Sequence, residues 1–209
     1  MRPHDTTEVW AQLVLREADA LRIQDFFLNQ IGIKRRCILR GMHITVYHCR
    51  RPMPNLEATC EPASVIIPAQ DMRFMVMAPG GENPHPSLEP AMRKIGLRVH
   101  KSSKATSQIR EYRNRLIIHE TPKVLGSRAR STNFKNAFGA RHFQPHMSVL
   151  YAGNGVDRDL TIIGDKFRDS IGDLVFDEFV IDIVRKAADG TIERAPKTIS
   201  SHAPISPLE

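Results

Sequence analysis

Aromatic residues are scarce in this 209-residue chain, at 6%, with Trp10 the single tryptophan and only three tyrosines. That scarcity argues against a long stacking surface gripping several unpaired bases. No apolar run approaches the length of a membrane span, and no hydrophobic segment follows Met1-Arg2-Pro3-His4-Asp5 as a secretory signal requires. These absences lead us to expect a soluble, cytoplasmic protein with no membrane association. Cysteine is sparse as well. Cys37, Cys49 and Cys60 are odd in number and lack metal-type pairing, so reduced thiols are expected. A nucleophilic Cys49 is the functional alternative, against the commoner role of free cysteine as buried packing. Gly80-Gly81 lacks the Lys-Ser/Thr of a phosphate loop and reads as a turn, and there is no His-Glu-x-x-His helix.

Acidic residues are missing from one region in particular. Between Arg93 and Arg141, thirteen basic residues face only Glu111 and Glu120. That excess is larger than the formal charge of +7 on the whole chain, so the remainder is net acidic. A basic middle points to an anionic partner such as a nucleotide or RNA, through steering and phosphate contacts. For any single member, a solvated helix face is an equal reading.

Two stretches carry recognisable chemistry. In Gly41-Met42-His43-Ile44-Thr45-Val46-Tyr47-His48-Cys49, apolar and functional side chains alternate with period two, as on a strand with two different faces. Ile44 and Val46 are expected to enter a core. His43, Thr45 and Tyr47 then share the opposite face, with His48 turned away from His43. Phe143-Gln144-Pro145-His146-Met147-Ser148-Val149-Leu150-Tyr151 repeats the arrangement, with Gln144, His146 and Ser148 on one face and Met147 and Val149 on the other. Side by side, two such strands gather two imidazoles and two hydroxyls around one point. Histidine with Ser or Thr two places on is a common pattern, and His4, His85, His100 and His119 show it too. Only His43 and His146 add apolar residues at the next and third positions. Requiring both lowers the chance of a pair to the order of one in a hundred.

His43-Ile44-Thr45-Val46 and His146-Met147-Ser148-Val149 resemble the paired His-x-Thr/Ser motifs of the 2H phosphoesterase superfamily. That superfamily includes LigT-like 2′-5′ RNA ligases and 2′,3′-cyclic phosphodiesterases. The resemblance implies an α+β, bilobal LigT-like fold. Two antiparallel-type sheets with pseudo-twofold symmetry would line a central groove, with helices outside and no metal or other cofactor. It also implies catalysis by His43, Thr45, His146 and Ser148. The substrate would be a nucleotide, a cyclic oligonucleotide signal such as those of antiviral defence, or a short RNA, with no obligate protein partner. The spacing of about a hundred residues between motifs is wider than in compact members.

The residues support the same chemistry on their own terms. Cleaving a phosphodiester takes a proton from the attacking oxygen and gives one to the leaving oxygen, and histidine titrates near neutrality. Thr45 and Ser148 can donate to the non-bridging oxygens and stabilise their growing charge. Tyr47, Arg141 and Gln144 are the candidate substrate contacts, with core or rim packing the alternative for Tyr47. For each motif histidine the alternative is a hydrogen-bonded structural imidazole, and zinc binding lacks a third ligand at sensible spacing. The expected function is a metal-independent phosphodiesterase acting on a cyclic phosphate or a 2′-5′ or 3′-5′ linkage. The alternative is a non-catalytic nucleotide- or RNA-binding module. Which histidine is the base depends on which oxygen leaves, and the sequence does not specify it.

Around these motifs, residues 8–16 read as a strand, followed by a helix over Ala18–Ile31 that Gly32 stops. Lys34-Arg35-Arg36 is a short basic connection. Ser64–Ile67 and Arg73–Met77 read as strands separated by a turn over Pro68–Asp71. Ser87 is expected to cap a helix striped by Leu88, Met92, Ile95 and Val99, with a break at Ser102-Ser103 and a second helical or irregular piece to Arg115. Leu116–His119 reads as a strand, Ser127–Asn133 as an exposed basic loop, and Asp157 as the cap of a helix through Ile171. Leu174–Val184 closes as a strand. Residues 1–188 are expected to form one bilobal domain, and 189–209 a Pro- and Ser-rich tail.

Overall fold

The computed structural model describes residues 6–49, 64–77, 94–120, 143–151, 160–187 and 189–200. The strands are β1 (Thr6–Leu15), β2 (His43–Cys49), β3 (Val65–Ile67), β4 (Met72–Met77), β5 (Lys94–Val99), β6 (His146–Leu150), β7 (Leu174–Lys186) and β8 (Ile192–Ser200). The helices are α1 (Glu17–Asp25), α2 (Lys104–Glu120) and α3 (Leu160–Ser170). All strand pairings are antiparallel, in the order β3-β7-β1-β2-β6-β5-β4, with β8 also paired to β7. The α+β class is as expected. The two sheets, however, are joined into one at the centre, where β2 meets β6 through the pair Ile44–Met147. Edge strands β3 and β4 are linked through Pro68–Asp71, so the sheet must curl strongly along its length.

One face of this sheet carries the core. Ala11, Leu13 and Leu15 of β1 lie against Tyr47, Ile44, Ile181, Phe179 and Phe176 on the neighbouring strands, all buried. Helix α1 buries Ala20 and Ile23 and continues as a wider π-type turn, Phe26–Gln30, before Gly32 ends it at φ +78°. Phe26, Phe27, Phe74 and Phe167 meet edge to face at centroid distances of 5.3–5.9 Å, locking α1 and α3 beneath β4. Such geometry adds to area burial, and truncating one of these rings should cost about 3–5 kcal/mol. Helix α2 docks under β2 and β3 through Ala105, Ile109, Tyr112 and Arg113, a stripe at helical spacing.

Three expectations are corrected. Lys94–Val99 is strand β5 and not the end of a helix, because Ile95, Leu97 and Val99 also satisfy a period of two, and pairing on both sides selects it. Leu116–His119 is the last turn of α2, since a helix already anchored by its buried stripe overrides local β propensity. Within the expected tail, Ile192–Ser200 pairs with β7 along nine residues. Gly190 at φ +89° makes the turn into it, and Pro196 is accommodated because β8 is an edge strand. The cap at Asp157, the start of the helix predicted from Ser87 and the loop Ser127–Asn133 lie outside the described residues.

Candidate active site

The second face of the sheet carries the motif side chains, and a β-bulge decides which ones. On β2, Thr45 pairs with Gln12 and Tyr47 with Ala11, so Val46 is an extra residue without a partner. A bulge shifts the alternation by one. Ile44, Val46 and Tyr47 therefore all enter the core, with Tyr47 only 1% exposed, while His43, Thr45 and His48 share the other face. Both sequence expectations for this stretch reverse: Tyr47 does not accompany His43, and His48 does. His48 stacks on Trp10 with ring centroids 3.6 Å apart and planes at 15°. Tyr47 instead lies near Arg113, a buried guanidinium whose pKa desolvation lowers and Tyr47 raises.

Strand β6 repeats the device. Ser148 pairs with Gly96 and Leu150 with Ile95, leaving Val149 as the extra residue. Met147, Val149 and Leu150 are buried in the core, and His146 and Ser148 are half-buried on the second face. Each motif strand therefore bulges at the valine immediately after its hydroxyl residue. The antiparallel pair Ile44–Met147 then sets His43 beside Ser148 and Thr45 beside His146. The two histidines stand in a diagonal relation, with backbones about 7–8 Å apart.

Each imidazole has the backbone two residues upstream as a neighbour. His146 Nδ1 lies 2.9 Å from the carbonyl oxygen of Gln144, two residues upstream. For His43 the backbone of Gly41, also two residues upstream, favours the charged ring. With Nδ1 held at that carbonyl, Nε2 is the His146 nitrogen left to face a substrate. The His43 pKa is lowered, first by desolvation and also by the nearby His146 imidazole, against the opposing pull of the Gly41 bond. The excluded pattern at His100 behaves differently. Its Nδ1 lies 2.7 Å from Ser102 Oγ, so that pair is closed on itself.

The remaining neighbours separate into supports and exposed groups. Gln144, a predicted substrate contact, donates its side-chain amide to the Val99 carbonyl at 3.2 Å and ties β6 to β5. Arg110 donates to the Phe143 carbonyl at 3.2 Å, and the Arg113 guanidinium sits 4.7 Å from the Phe143 ring, so two members of the basic middle fasten the lead-in to β6. Arg141 lies outside the described residues. Met77 covers Gly96, with its sulfur 3.5 Å from Ser148 Oγ. Arg98 pairs with His146 across β5–β6, and Arg73 pairs with Arg98. Sequence reasoning missed Arg98 and His48 because each depends on register, although the period of two in Ile95–Val99 would have put Arg98 on a strand face. Beyond His43 a cavity of about 640 Å³ opens at the end of β1 and β2, lined by Val14, Gly41, Arg16, Arg35 and Arg40 among others. No described group of three or more His, Cys, Asp or Glu side chains is arranged to hold a metal.

No protein-family model matches the chain, and no curated protein matches it. Among solved structures it is similar to Usb1 of Kluyveromyces marxianus, at 12% sequence identity and a TM-score of 0.42, over 91% of this chain and 98% of that one. A likeness of that degree does not decide a family. No helix among the described residues is long and apolar enough to cross a membrane.

Proposed function

We propose that this protein is a phosphodiesterase of the paired-histidine type, needing no metal, that cleaves a phosphodiester in RNA or a related nucleotide. One observation carries the reading: two bulged strands meet at Ile44–Met147 and set two imidazoles diagonally, each beside a hydroxyl. His43, desolvated and with its pKa lowered, is the base that takes the proton from the attacking oxygen. His146 gives a proton to the leaving oxygen from the opposite side of the phosphorus. Thr45 and Ser148 donate to the non-bridging oxygens, where charge grows in the transition state. Gln144 acts as a positioning residue, through its carbonyl on His146 and its amide on Val99.

The substrate class extends from 2′,3′-cyclic nucleotides to 2′-5′ and 3′-5′ oligonucleotides and cyclic oligonucleotide signals. The test is turnover of such a panel in EDTA, read by mass spectrometry. Cleavage in chelator that is lost in His43→Ala and His146→Ala supports the reading. Binding without turnover across the panel rejects it in favour of a nucleic-acid-binding module, and loss of activity in chelator points to a metal-dependent hydrolase.

A further inference from the structure

The two half-sites differ in one place that has a chemical meaning. The cross-strand neighbour of His43 is Val14, and the cross-strand neighbour of His146 is Arg98. Directly opposed residues of an antiparallel pair share a face, with β-carbons about 4.5–5.5 Å apart. Arg98 is half-buried and has no ion-pair or hydrogen-bond partner among the described residues. Arg73 continues the same row on β4, its guanidinium steadied by the carbonyl oxygens of Gln70 and Met72. The row Thr45, His146, Arg98, Arg73 thus crosses four adjacent strands, starting at the reacting centre and ending in two cations. Strands lie about 4.8 Å apart, so the row departs from the β2–β6 seam in even steps.

We propose that Arg98, continued by Arg73, binds the phosphate next to the scissile one, on the His146 side only, making the preferred substrate a single-stranded oligonucleotide rather than a mononucleotide. The proposal rests on the phosphodiesterase reading to place the scissile phosphate over the seam, where both hydroxyls stand. The Arg98 backbone stands one strand beyond that seam, on the side where the adjoining nucleotide's phosphate would lie. Arginine suits the task because its planar fork stays charged and grips two phosphate oxygens together. On the other side the matching row runs from His43 to the uncharged Val14 and then to Glu178, and the arginines of the cavity there stand among Glu17, Asp177 and Glu178, so the strand is fixed in one direction.

The test compares UpU, which carries only the scissile phosphate, with UpUpU, and with UpUpU bearing one neutral methylphosphonate at either position. Binding is followed by calorimetry and turnover by mass spectrometry. Wild type is expected to prefer UpUpU over UpU by tenfold or more and to lose that preference with one of the two methylphosphonates. In Arg98→Gln the preference should fall to within twofold, and the slope of log K against log salt for UpUpU should flatten by about 0.7. Arg98→Lys should keep part of the preference, and thermal melts confirm that both variants are folded. A UpUpU preference that survives in Arg98→Gln, or a wild type that binds both ligands equally, overturns the proposal. Failure of the underlying reading looks different: wild type then binds UpUpU through Arg98 and cleaves nothing.

Discussion

The two motif strands were built to the same plan and furnished differently. Both place a histidine, a buried residue and a hydroxyl in turn, and bulge at the next valine. Around β2 the flanking residues are Gln12, Val14 and the Trp10–His48 stack. Around β6 the corresponding flank holds Gly96 under Met77, and Arg98. Under the proposed function, the shared features are those that proton transfer and charge stabilisation would need on both sides of a phosphorus. The unshared features flank that pair of strands, where the proposed substrate, having two different ends, would require asymmetry.

The comparison can be broken most severely at the imidazoles. His43→Ala and His146→Ala should each lower kcat/KM by about 10²–10⁴-fold, while His100→Ala, lacking the anchored geometry, should change it by less than about twofold. The double variant should fall little further than either single one, since a base and an acid acting on one phosphorus work as a unit. Next come the hydroxyls. Ser148→Ala and Thr45→Val should each lower kcat by about 10²-fold with KM nearly unchanged, and a defect on one side only would make the two halves unequal in chemistry.

A smaller effect separates the flanks. A side chain at Gly96 meets Met77 and comes within 2.9 Å of the Met147 carbonyl oxygen. Gly96→Ala should therefore destabilise the fold by about 1–3 kcal/mol in urea unfolding, whereas Gln12→Ala at the mirrored position should stay within about 0.5 kcal/mol.

The smallest effect is on pH dependence. The His43 pKa in the folded protein lies below its ordinary value of 6.5, so as pH falls the unfolded chain takes up this proton first. The contribution of His43 to stability is complete above 6.5 and declines through the interval beneath it. The acid limb of kcat/KM should likewise lie below 6.5, and NMR titration of the His43 ring in wild type and His146→Ala checks both. Removing the neighbouring imidazole should move the midpoint upward.

Much of this was legible in the sequence where period and punctuation agreed. The first strand, the helix ended by Gly32, the pair around Pro68–Asp71 and the helix carrying Ile163 and Phe167 all showed their spacing openly. The two motifs were found because each histidine sits in an apolar alternation that the decoys lack. Tyr47 and His48 were misassigned because a bulge belongs to a pairing: nothing in Val46-Tyr47-His48 announces that β1 will skip one residue. Strand β5 was hidden for a related reason, since Ile95 and Val99 are four apart and fit a helix as well as a strand until β4 and β6 arrive on either side. The basic middle pointed to an anionic partner, with a solvated helix face an equal reading for each member. Among its described members, Arg110 and Arg113 brace the approach to β6, and Arg98 stands on the face that carries His146.

The union of the halves at Ile44 and Met147 has a consequence for how this machine can be tuned. Both residues are fully enclosed, at 0% and 1% exposure, and neither can touch a ligand. Yet they are the gauge that fixes how far apart the two rings ride. A methyl group gained or lost beneath the sheet would have to be absorbed at this seam, so the seating of the two rings above it depends on the interior as well as on the rim.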